Sequence, residues 1–341
     1  MNPIMMSIII SSLALGTVIT MSSMHWLMAW IGLELNTLAI IPIIAKHHHP
    51  RATEATTKYF LIQAAASATV LFSSTINAWS TGTWDIMQLT NPCACTMLTM
   101  ALSMKLGLAP LHFWLPEVLQ GSSLKTALII TTWQKLAPMT LLYLTHHSLN
   151  TTILLTMGLM STMIGGWGGL NQTQVRKIMA YSSIAHLGWM ATILTLSPNL
   201  MLLNLALYLM MTLSTFMLLI FSSSKTIKDL TTSWTLSPPT TALMLLLLMS
   251  MAGLPPLTGF MPKWLILQDL TSHNLPTTAT IMALSALLSL FFYLRLTYTT
   301  TLTMSPTTTQ NKLKWRLQPK LKTTILSMAA MLSTTLLPIT P

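Results

Sequence analysis

Two similar stretches decide the fold: GLAPLHFWLPE, from Gly107 to Glu117, and GLPPLTGFMPK, from Gly253 to Lys263. Both follow the pattern G-L-x-P-L-x-x-x-x-P and then a charged residue, and they lie 146 residues apart. Leucine matches mean little here, but glycine (13 of 341 residues) and proline (18 of 341) are uncommon, so chance does not readily align one glycine and two prolines. The two copies indicate an internal repeat.

Composition identifies the solvent as a lipid bilayer. Hydrophobic residues make up 52% of the chain and charged residues 7%, and the mean hydropathy is +0.64. Soluble domains carry roughly 25% charged residues. A helix needs about 20 largely apolar residues to span a bilayer, and we expect about eleven spans. They are residues 4–22, 25–45, 58–79, 96–120, 124–145, 150–170, 174–195, 200–222, 240–268, 275–298 and 322–338.

These runs are too long and too continuously apolar for the roughly 10-residue alternating strands of a membrane barrel. Only helices and closed barrels satisfy the backbone in lipid. The predicted fold is therefore all-α, a polytopic membrane helix bundle that forms a single membrane domain over residues 1–341.

The basic residues predict the orientation of the chain. Of the 17 lysines and arginines behind the net charge of +11, 13 lie in or beside loops after even-numbered spans, and none lies in a loop after an odd-numbered span. This is the positive-inside pattern, so we expect the N-terminus inside and the C-terminus outside. The basic surface also suits anionic lipid, and this distribution argues against a nucleic-acid partner.

The orientation makes the two copies inverted, because the first falls in the fourth span and the second in the ninth. We therefore expect two inverted five-helix repeats, residues 4–145 and 150–298, followed by one C-terminal helix at 320–338. In transporters with inverted repeats, matched spans interrupted by glycine or proline are discontinuous helices near the midplane. The expected breaks lie at Gly107 and Pro110 in the first copy and at Gly253, Pro255 and Pro256 in the second.

Charged side chains at the expected bilayer centre are the candidate functional residues. Lys105 and Lys135 fall mid-span, Lys263 follows the second break, and Glu34 and His186 are the tenth and thirteenth residues of their spans. Each charge at the midplane costs roughly 2.5 to 3.5 kcal/mol. One glutamate cannot neutralise three lysines, so at least two lysines must be neutral, hydrated or exchanging protons. That chemistry suits a proton relay.

Simpler roles stay open at several positions. The glutamate–lysine pair can merely fasten helices, and His186 and His112 can each be hydrogen-bonded core histidines. We expect Glu117 to be half-hydrated and secondary, and Arg295 to extend to the membrane interface.

Four motifs together carry a family resemblance. They are MKLGLAPLHFWLPEVLQGS at 104–122, WQKLAP at 133–138, RKIMAYSSIAHLGWM at 176–190 and GLPPLTGFMPKW at 253–264. Over nearly the whole chain, the sequence resembles the antiporter-like membrane subunits of respiratory NADH:ubiquinone oxidoreductase, complex I. The resemblance implies proton translocation coupled to quinone reduction elsewhere in the complex.

Residue by residue, the resemblance places the functional ion pair of the family on Glu34 and Lys105, its central lysine on Lys135 and its exit-side charge on Lys263. His186 falls on the polar axis of the second repeat. No cofactor or metal is implied on this chain; FMN, iron–sulfur clusters and ubiquinone belong to other subunits. The resemblance leads us to expect no counterpart of the three N-terminal spans of bacterial family members, as in the animal form.

The expected partners are other membrane-arm subunits and the bilayer, with cardiolipin at the basic matrix side. The N-terminal MNPIMMSIII has no basic residue before its apolar run, so we expect no transit peptide, and the resemblance implies mitochondrial encoding. The expected location is the mitochondrial inner membrane, with the N-terminus in the matrix and the C-terminus in the intermembrane space. Two alternatives remain: a structural membrane subunit without its own proton path, and a stand-alone cation/proton antiporter.

Overall fold

A computed structural model describes residues 2–47, 49–235 and 238–301, together with Ser327, Ala330 and Thr334. The regular structure of these residues is helical, apart from two isolated β-bridges. The helices are α1 (Pro3–Ser22), α2 (Trp26–Ile44), α3 (Pro50–Thr81), α4 (Pro92–Leu106), α5 (Trp114–Gly121), α6 (Leu124–Thr131), α7 (Trp133–Thr145), α8 (Thr151–Gly169), α9 (Val175–Leu194), α10 (Pro198–Ser222), α11 (Ile227–Thr232), α12 (Pro238–Ala252), α13 (Phe260–Ser272) and α14 (Pro276–Thr301). Two short 3₁₀ turns follow α2 and α11.

Five of these helices are long and apolar enough to cross a membrane: α1, α2, α3, α10 and α14. Their outward faces carry large apolar side chains, as on α1, where Ile4 and Leu15 are more than half exposed. Such faces suit contact with lipid, because lipid tails are as apolar as these side chains. The all-helical membrane fold predicted from composition is confirmed at this level.

The chain divides into two compact units. The first contains Met1–Ser161 and Met190–Pro198. Within it the long helix α3 packs against α2, α4 and α5, and α7 packs against α1 and α4. The second unit contains Thr162–Trp189 and Asn199–Pro341. Within it α14 packs against α11, α12 and α13.

Each unit also joins two of its connections by a β-bridge. In the first unit His25, before α2, pairs with Asp85 between α3 and α4. In the second unit Gln174, before α9, pairs with Thr226 between α10 and α11. Two backbone hydrogen bonds of 3.1 Å close each bridge. Both bridges thus tie the connection that precedes the second span of a predicted repeat to the connection between its third and fourth spans.

The helix ends follow ordinary capping chemistry. Proline begins α1, α3 and α4, where its missing amide has no helical partner to lose. The side chain of Asn91 accepts the Cys93 amide at 3.1 Å, and Thr226 and Asp229 form a reciprocal capping box at α11. These caps satisfy the free amides at the helix starts.

Helices α6 and α7 together cover the predicted span 124–145, and Thr132 separates them. Thr132 donates its hydroxyl back to the Leu128 carbonyl at 2.7 Å, and the Thr131 hydroxyl lies 3.0 Å from the Ala127 carbonyl and 3.1 Å from that of Leu128. Such back-bonding competes with the helical ladder and bends helices. The short helix α11 also lies in a connection that we expected to be a loop. The predicted C-terminal helix, 320–338, lies outside the described residues apart from Ser327, Ala330 and Thr334.

Candidate functional site

The first predicted break is a glycine-capped helix end. Helix α4 stops at Leu106, and Gly107 takes a left-handed conformation with φ of +80°. The Gly107 amide donates to the Met104 carbonyl at 3.2 Å and the Leu108 amide to the Ser103 carbonyl at 3.0 Å, which is a Schellman motif.

The second break repeats this geometry. Helix α12 stops at Ala252, and Gly253 has φ of +82°. Its amide donates to the Ser250 carbonyl at 3.0 Å, and the Leu254 amide donates to the Met249 carbonyl at 3.4 Å. At both positions the helix thus ends one residue before the glycine of the copied motif.

The prolines lie in the turns beyond these caps. Pro110 follows Gly107 by three residues, and Pro255 and Pro256 follow Gly253 by two and three. All three prolines are exposed in this chain. The sequence assigned the breaks to proline, but the left-handed glycine already satisfies the helix end, and proline keeps the chain from continuing as a helix.

The two breaks differ in which side chains bind the remaining carbonyls. At the first, Trp114 Nε1 donates to the Met104 carbonyl at 3.1 Å, and Gln63 Nε2 lies 3.4 Å from the Lys105 carbonyl. At the second, Lys263 Nζ donates to the Ala252 carbonyl at 2.8 Å. Two neutral side-chain donors, from Trp114 and Gln63, therefore bind carbonyls at the end of α4, whereas the amine of Lys263 binds a carbonyl at the end of α12.

Lys105 and Lys135 border one polar cavity in the first unit. Their side chains are buried, with 6% and 4% exposure. The free volume of this cavity is about 10 Å³, which is roughly the space for one water molecule. The polar residues that line it are Asn36, Thr37, Tyr59, Gln63, Lys105, Gln134 and Lys135. Two of the predicted relay lysines are thus neighbours of the same polar space.

Glu34 lies near this cavity on α2, half-buried. Its Oε2 atom and Lys105 Nζ are buried without a hydrogen-bond partner among the described residues. They form no ion pair within 4 Å, although Glu34 lies within electrostatic range of Lys105. The structure places the two charges close enough to influence each other through space but not in direct contact.

His186 lies in the second unit on α9, with 6% exposure. Its ring centroid is 5.5 Å from that of the buried Tyr208. Ser182 and Ser183, one turn earlier, are also buried. The histidine therefore belongs to a buried cluster of polar hydroxyl side chains.

The remaining polar candidates have other partners. Glu117 is exposed and pairs with Lys58 at 2.7 Å, and Lys58 also binds Glu54. His112 is buried in the turn between α4 and α5, beside Phe113. Arg295 donates to backbone carbonyls after α8, to that of Gln172 at 2.7 Å and to that of Leu170. We expected Arg295 to reach for the interface, and sequence reasoning did not foresee this clamp.

Among the described residues, no group of three or more His, Cys, Asp or Glu side chains is placed to hold a metal ion.

Sequence reasoning also missed Gln134 and Asn36. Gln134 Nε2 donates to Asn36 Oδ1 at 3.0 Å and lies 3.3 Å from the Asn36 carbonyl oxygen. Both residues line the cavity. The available signal was proximity in sequence, since Gln134 precedes Lys135 and Asn36 follows Glu34 by two residues.

Comparison with known proteins adds family and fold. A family model described as NADH:quinone oxidoreductase/Mrp antiporter, TM, matches residues 23–289, and one described as NADH dehydrogenase subunit 2 C-terminus matches residues 290–341. Proteins called NADH-ubiquinone oxidoreductase chain 2 from Xenopus laevis and Squalus acanthias are 62% and 60% identical. These alignments cover 100% of this chain and 99% and 98% of the relatives.

Two solved structures have a similar fold. A chain of respiratory complex I from Thermus thermophilus is 25% identical with a TM-score of 0.82, over 97% of this chain and 78% of that chain. A chain of the Mrp complex from a Dietzia species is 16% identical with a TM-score of 0.76, over 86% of this chain and 59% of that chain.

Proposed function

This chain belongs to the NADH:quinone oxidoreductase/Mrp antiporter family of membrane subunits, and from that membership we propose that it translocates protons as an antiporter-like subunit of respiratory NADH:ubiquinone oxidoreductase. It serves the enzyme as a membrane subunit and, on this proposal, has no redox centre. FMN, iron–sulfur clusters and ubiquinone act in other subunits, where the redox reaction supplies the driving free energy.

The cavity between Lys105 and Lys135 carries this proposal. Two buried amines beside one polar space are costly, since a charge at the membrane centre costs roughly 2.5 to 3.5 kcal/mol. Lys105 Nζ has no acceptor among the described residues. A helix fastener would place that amine against a carboxylate or a carbonyl. An amine facing a space of one water can instead exchange a proton with it.

The proposed relay consists of Glu34, Lys105, Lys135, His186 and Lys263. Glu34 tunes the charge on Lys105 through space. The proton passes from Lys105 by water to Lys135, and His186 and Lys263 continue the path in the second repeat. Moving one charge against 100 mV takes about 2.3 kcal/mol. At about 7 Å and an effective dielectric constant of about 20, a Glu34–Lys105 attraction is about 2.4 kcal/mol, similar to that amount.

We further propose two inverted five-helix repeats, residues 4–145 and 150–298, within about eleven spans that include a C-terminal helix at 320–338. Two pairs of matched features support the repeat: the Schellman ends at Gly107 and Gly253, and the β-bridges that join corresponding connections. The positions of the basic residues support an N-terminus in the matrix and a C-terminus in the intermembrane space.

The proposed location is the mitochondrial inner membrane, in accord with the animal relatives. The neighbours are other subunits of the complex I membrane arm. Basic loops on the matrix side suit cardiolipin, whose headgroup is anionic.

Proton uptake per NADH oxidised tests the relay directly, in vesicles that carry the intact complex with Lys135→Met. Methionine keeps an unbranched side chain of similar length but cannot carry a proton. We expect normal assembly with lower coupled turnover or proton yield. Lys228→Met is the matched control, because Lys228 is an exposed lysine of α11. Normal proton yield in the Lys135 variant would show that this lysine only fastens helices.

A further inference from the structure

The helix that carries Lys135 starts at an interruption. Because α6 ends at Thr131 and α7 begins at Trp133, Lys135 occupies the first turn of α7. Its amide donates to the Thr132 carbonyl at 3.3 Å, a short-range contact instead of a continuous α-helical ladder. The start of α7 can therefore rotate relative to α6 more easily than a residue in mid-helix. The rotation of α7 about its axis sets the direction in which the Lys135 side chain leaves the helix.

The Gln134 side chain, at the start of α7, contacts two oxygen atoms of Asn36. Its Nε2 reaches both the side-chain oxygen and the backbone oxygen of Asn36, at 3.0 and 3.3 Å. A backbone carbonyl can only accept, so the atom facing it must be the amide nitrogen of Gln134. The assignment of nitrogen and oxygen in this side chain is thus set by the contact itself. The pair joins residues 98 positions apart in sequence.

The hydrogen bond between Gln134 and Asn36 joins α7, which carries Lys135, to α2, which carries Glu34. Gln134 is adjacent to Lys135 on α7, and Asn36 lies two residues after Glu34 on α2. Asn36 is buried, with 2% exposure. Both amides line the cavity that Lys105 and Lys135 share. A rotation of α7 that moved Lys135 away from the cavity would also break this bridge.

We propose that the Gln134–Asn36 amide bridge positions Lys135 for proton transfer, by holding the start of α7 against α2 at the rotation that directs the lysine to the cavity. Both amides are uncharged over the physiological range, so the bridge keeps its geometry while nearby groups gain and lose protons. Gln134 and Asn36 are positioning residues and carry no proton themselves. This inference rests on the proposed relay function of Lys135.

The test compares three variants of the intact complex in proteoliposomes. Gln134→Leu removes the donor. The double exchange Asn36→Gln with Gln134→Asn keeps an amide pair of the same combined length. Gln172→Leu is the matched control, because the Gln172 amide donates within its own segment, to the Gly168 carbonyl at 3.2 Å. The readouts are proton uptake per NADH and coupled turnover, both per assembled complex, since loss of assembly alone does not change these ratios.

We expect Gln134→Leu to lower coupled turnover about threefold to tenfold, the effect of losing one or two interhelical hydrogen bonds in a membrane. The double exchange should restore it to within about twofold of the parent, since the combined length of the pair is kept. Normal values for Gln134→Leu overturn the proposal, and so does a double exchange that assembles but works as poorly as the leucine variant. If Gln134→Leu does not assemble, the double exchange decides alone: normal proton yield supports the bridge and reduced yield overturns it.

Lys135→Met, measured in parallel, separates this inference from the proposed function. A defect in Lys135→Met with normal values in Gln134→Leu rejects only the bridge. Normal values in Lys135→Met reject the relay role on which the bridge depends.

Discussion

Gly253→Ala perturbs the point where the second helix break meets Lys263. Gly253 has φ of +82°, and an L-residue in the left-handed region costs roughly 1–2 kcal/mol. A Cβ atom there would lie 2.9 Å from Lys263 Nζ and 3.1 Å from Lys263 Cδ. These distances are below ordinary van der Waals contact, so the amine must move from the Ala252 carbonyl that it binds at 2.8 Å. A hydrogen bond to a charged group is worth about 1.5–3 kcal/mol.

Two other glycines separate the backbone cost from the cost at Lys263. Gly82, at the end of α3, has φ of +75°, and a Cβ atom added there would meet nothing within 4 Å. Gly107 has φ of +80°, and a Cβ there would meet Leu115 Cδ1 at 3.1 Å, the flexible end of a side chain. We therefore expect Gly82→Ala and Gly107→Ala to cost about 1–2 kcal/mol of local stability. Gly253→Ala should cost about 2.5–5 kcal/mol, because the lost lysine contact adds to the backbone term.

Hydrogen–deuterium exchange on the assembled complex measures these local costs, since single helix ends open independently of global unfolding. The Gly253 and Leu254 amides should lose more protection in Gly253→Ala than the corresponding Gly107 and Leu108 amides lose in Gly107→Ala. Proton uptake per NADH should fall only in Gly253→Ala. Equal loss of protection at the two breaks, with proton uptake unchanged in all three variants, would refute the reasoning that Gly253 holds Lys263 in place.

Two further predictions concern groups away from the cavity. Arg295→Lys replaces a guanidinium, which donates to two carbonyls after α8, by a single amine. Amides in residues 170–174 should therefore lose about 1.5–3 kcal/mol of protection in hydrogen exchange. Unchanged protection would contradict a stabilising role of these two hydrogen bonds. Asp229 accepts the Thr226 and Lys225 amides, which hold the pKa of its carboxyl below the usual value. A lowered folded-state pKa stabilises α11 fully above the unfolded pKa of about 3.9, and that stability is lost as the pH falls through the lower folded value. The protection factor of the α11 amides, which compares their exchange with that of an unstructured chain at the same pH, should thus fall in acid for the parent chain but be low at every pH in Asp229→Ala; a pH-independent protection factor in the parent would contradict this.

The breaks were predictable from sequence because glycine and proline are rare in apolar spans and have strong backbone preferences. The sequence placed both interruptions within four residues of the observed helix ends at Leu106 and Ala252. The sequence analysis attributed the ends of the two helices to proline as well as glycine. The Schellman hydrogen bonds that close these ends are made by backbone groups, which composition does not reveal. The helical membrane fold was predictable for the same kind of reason: apolar length decides it.

The interruption at Thr132 was not predictable by those rules. No glycine or proline lies at Thr132 itself; the nearest proline, Pro138, lies six residues later inside α7, where it offers no amide to the Gln134 carbonyl. At the interruption the hydroxyls of Thr131 and Thr132 lie against the Ala127 and Leu128 carbonyls of the preceding turn. The Gln134–Asn36 bridge was hidden for another reason. Its partners are 98 residues apart, and two amides in apolar spans do not by themselves indicate that they meet.

The two helix ends have the same backbone geometry, but the charged residues at matched positions of the motif make different contacts. Glu117 and Lys263 occupy the same place in the copied motif, yet Glu117 forms an exposed ion pair with Lys58 while Lys263 reaches into the end of its own broken helix. A helix C-terminus carries partial negative charge, which attracts an ammonium group. The contact between Lys263 and Ala252 is therefore strongest when the lysine is protonated, and loss of the proton weakens the tie between α13 and the end of α12. The first break has no such dependence, because Trp114 and Gln63 are neutral donors. The end of α4 thus serves as a fixed support, whereas the end of α12 binds Lys263 in a contact whose strength depends on the protonation of the lysine.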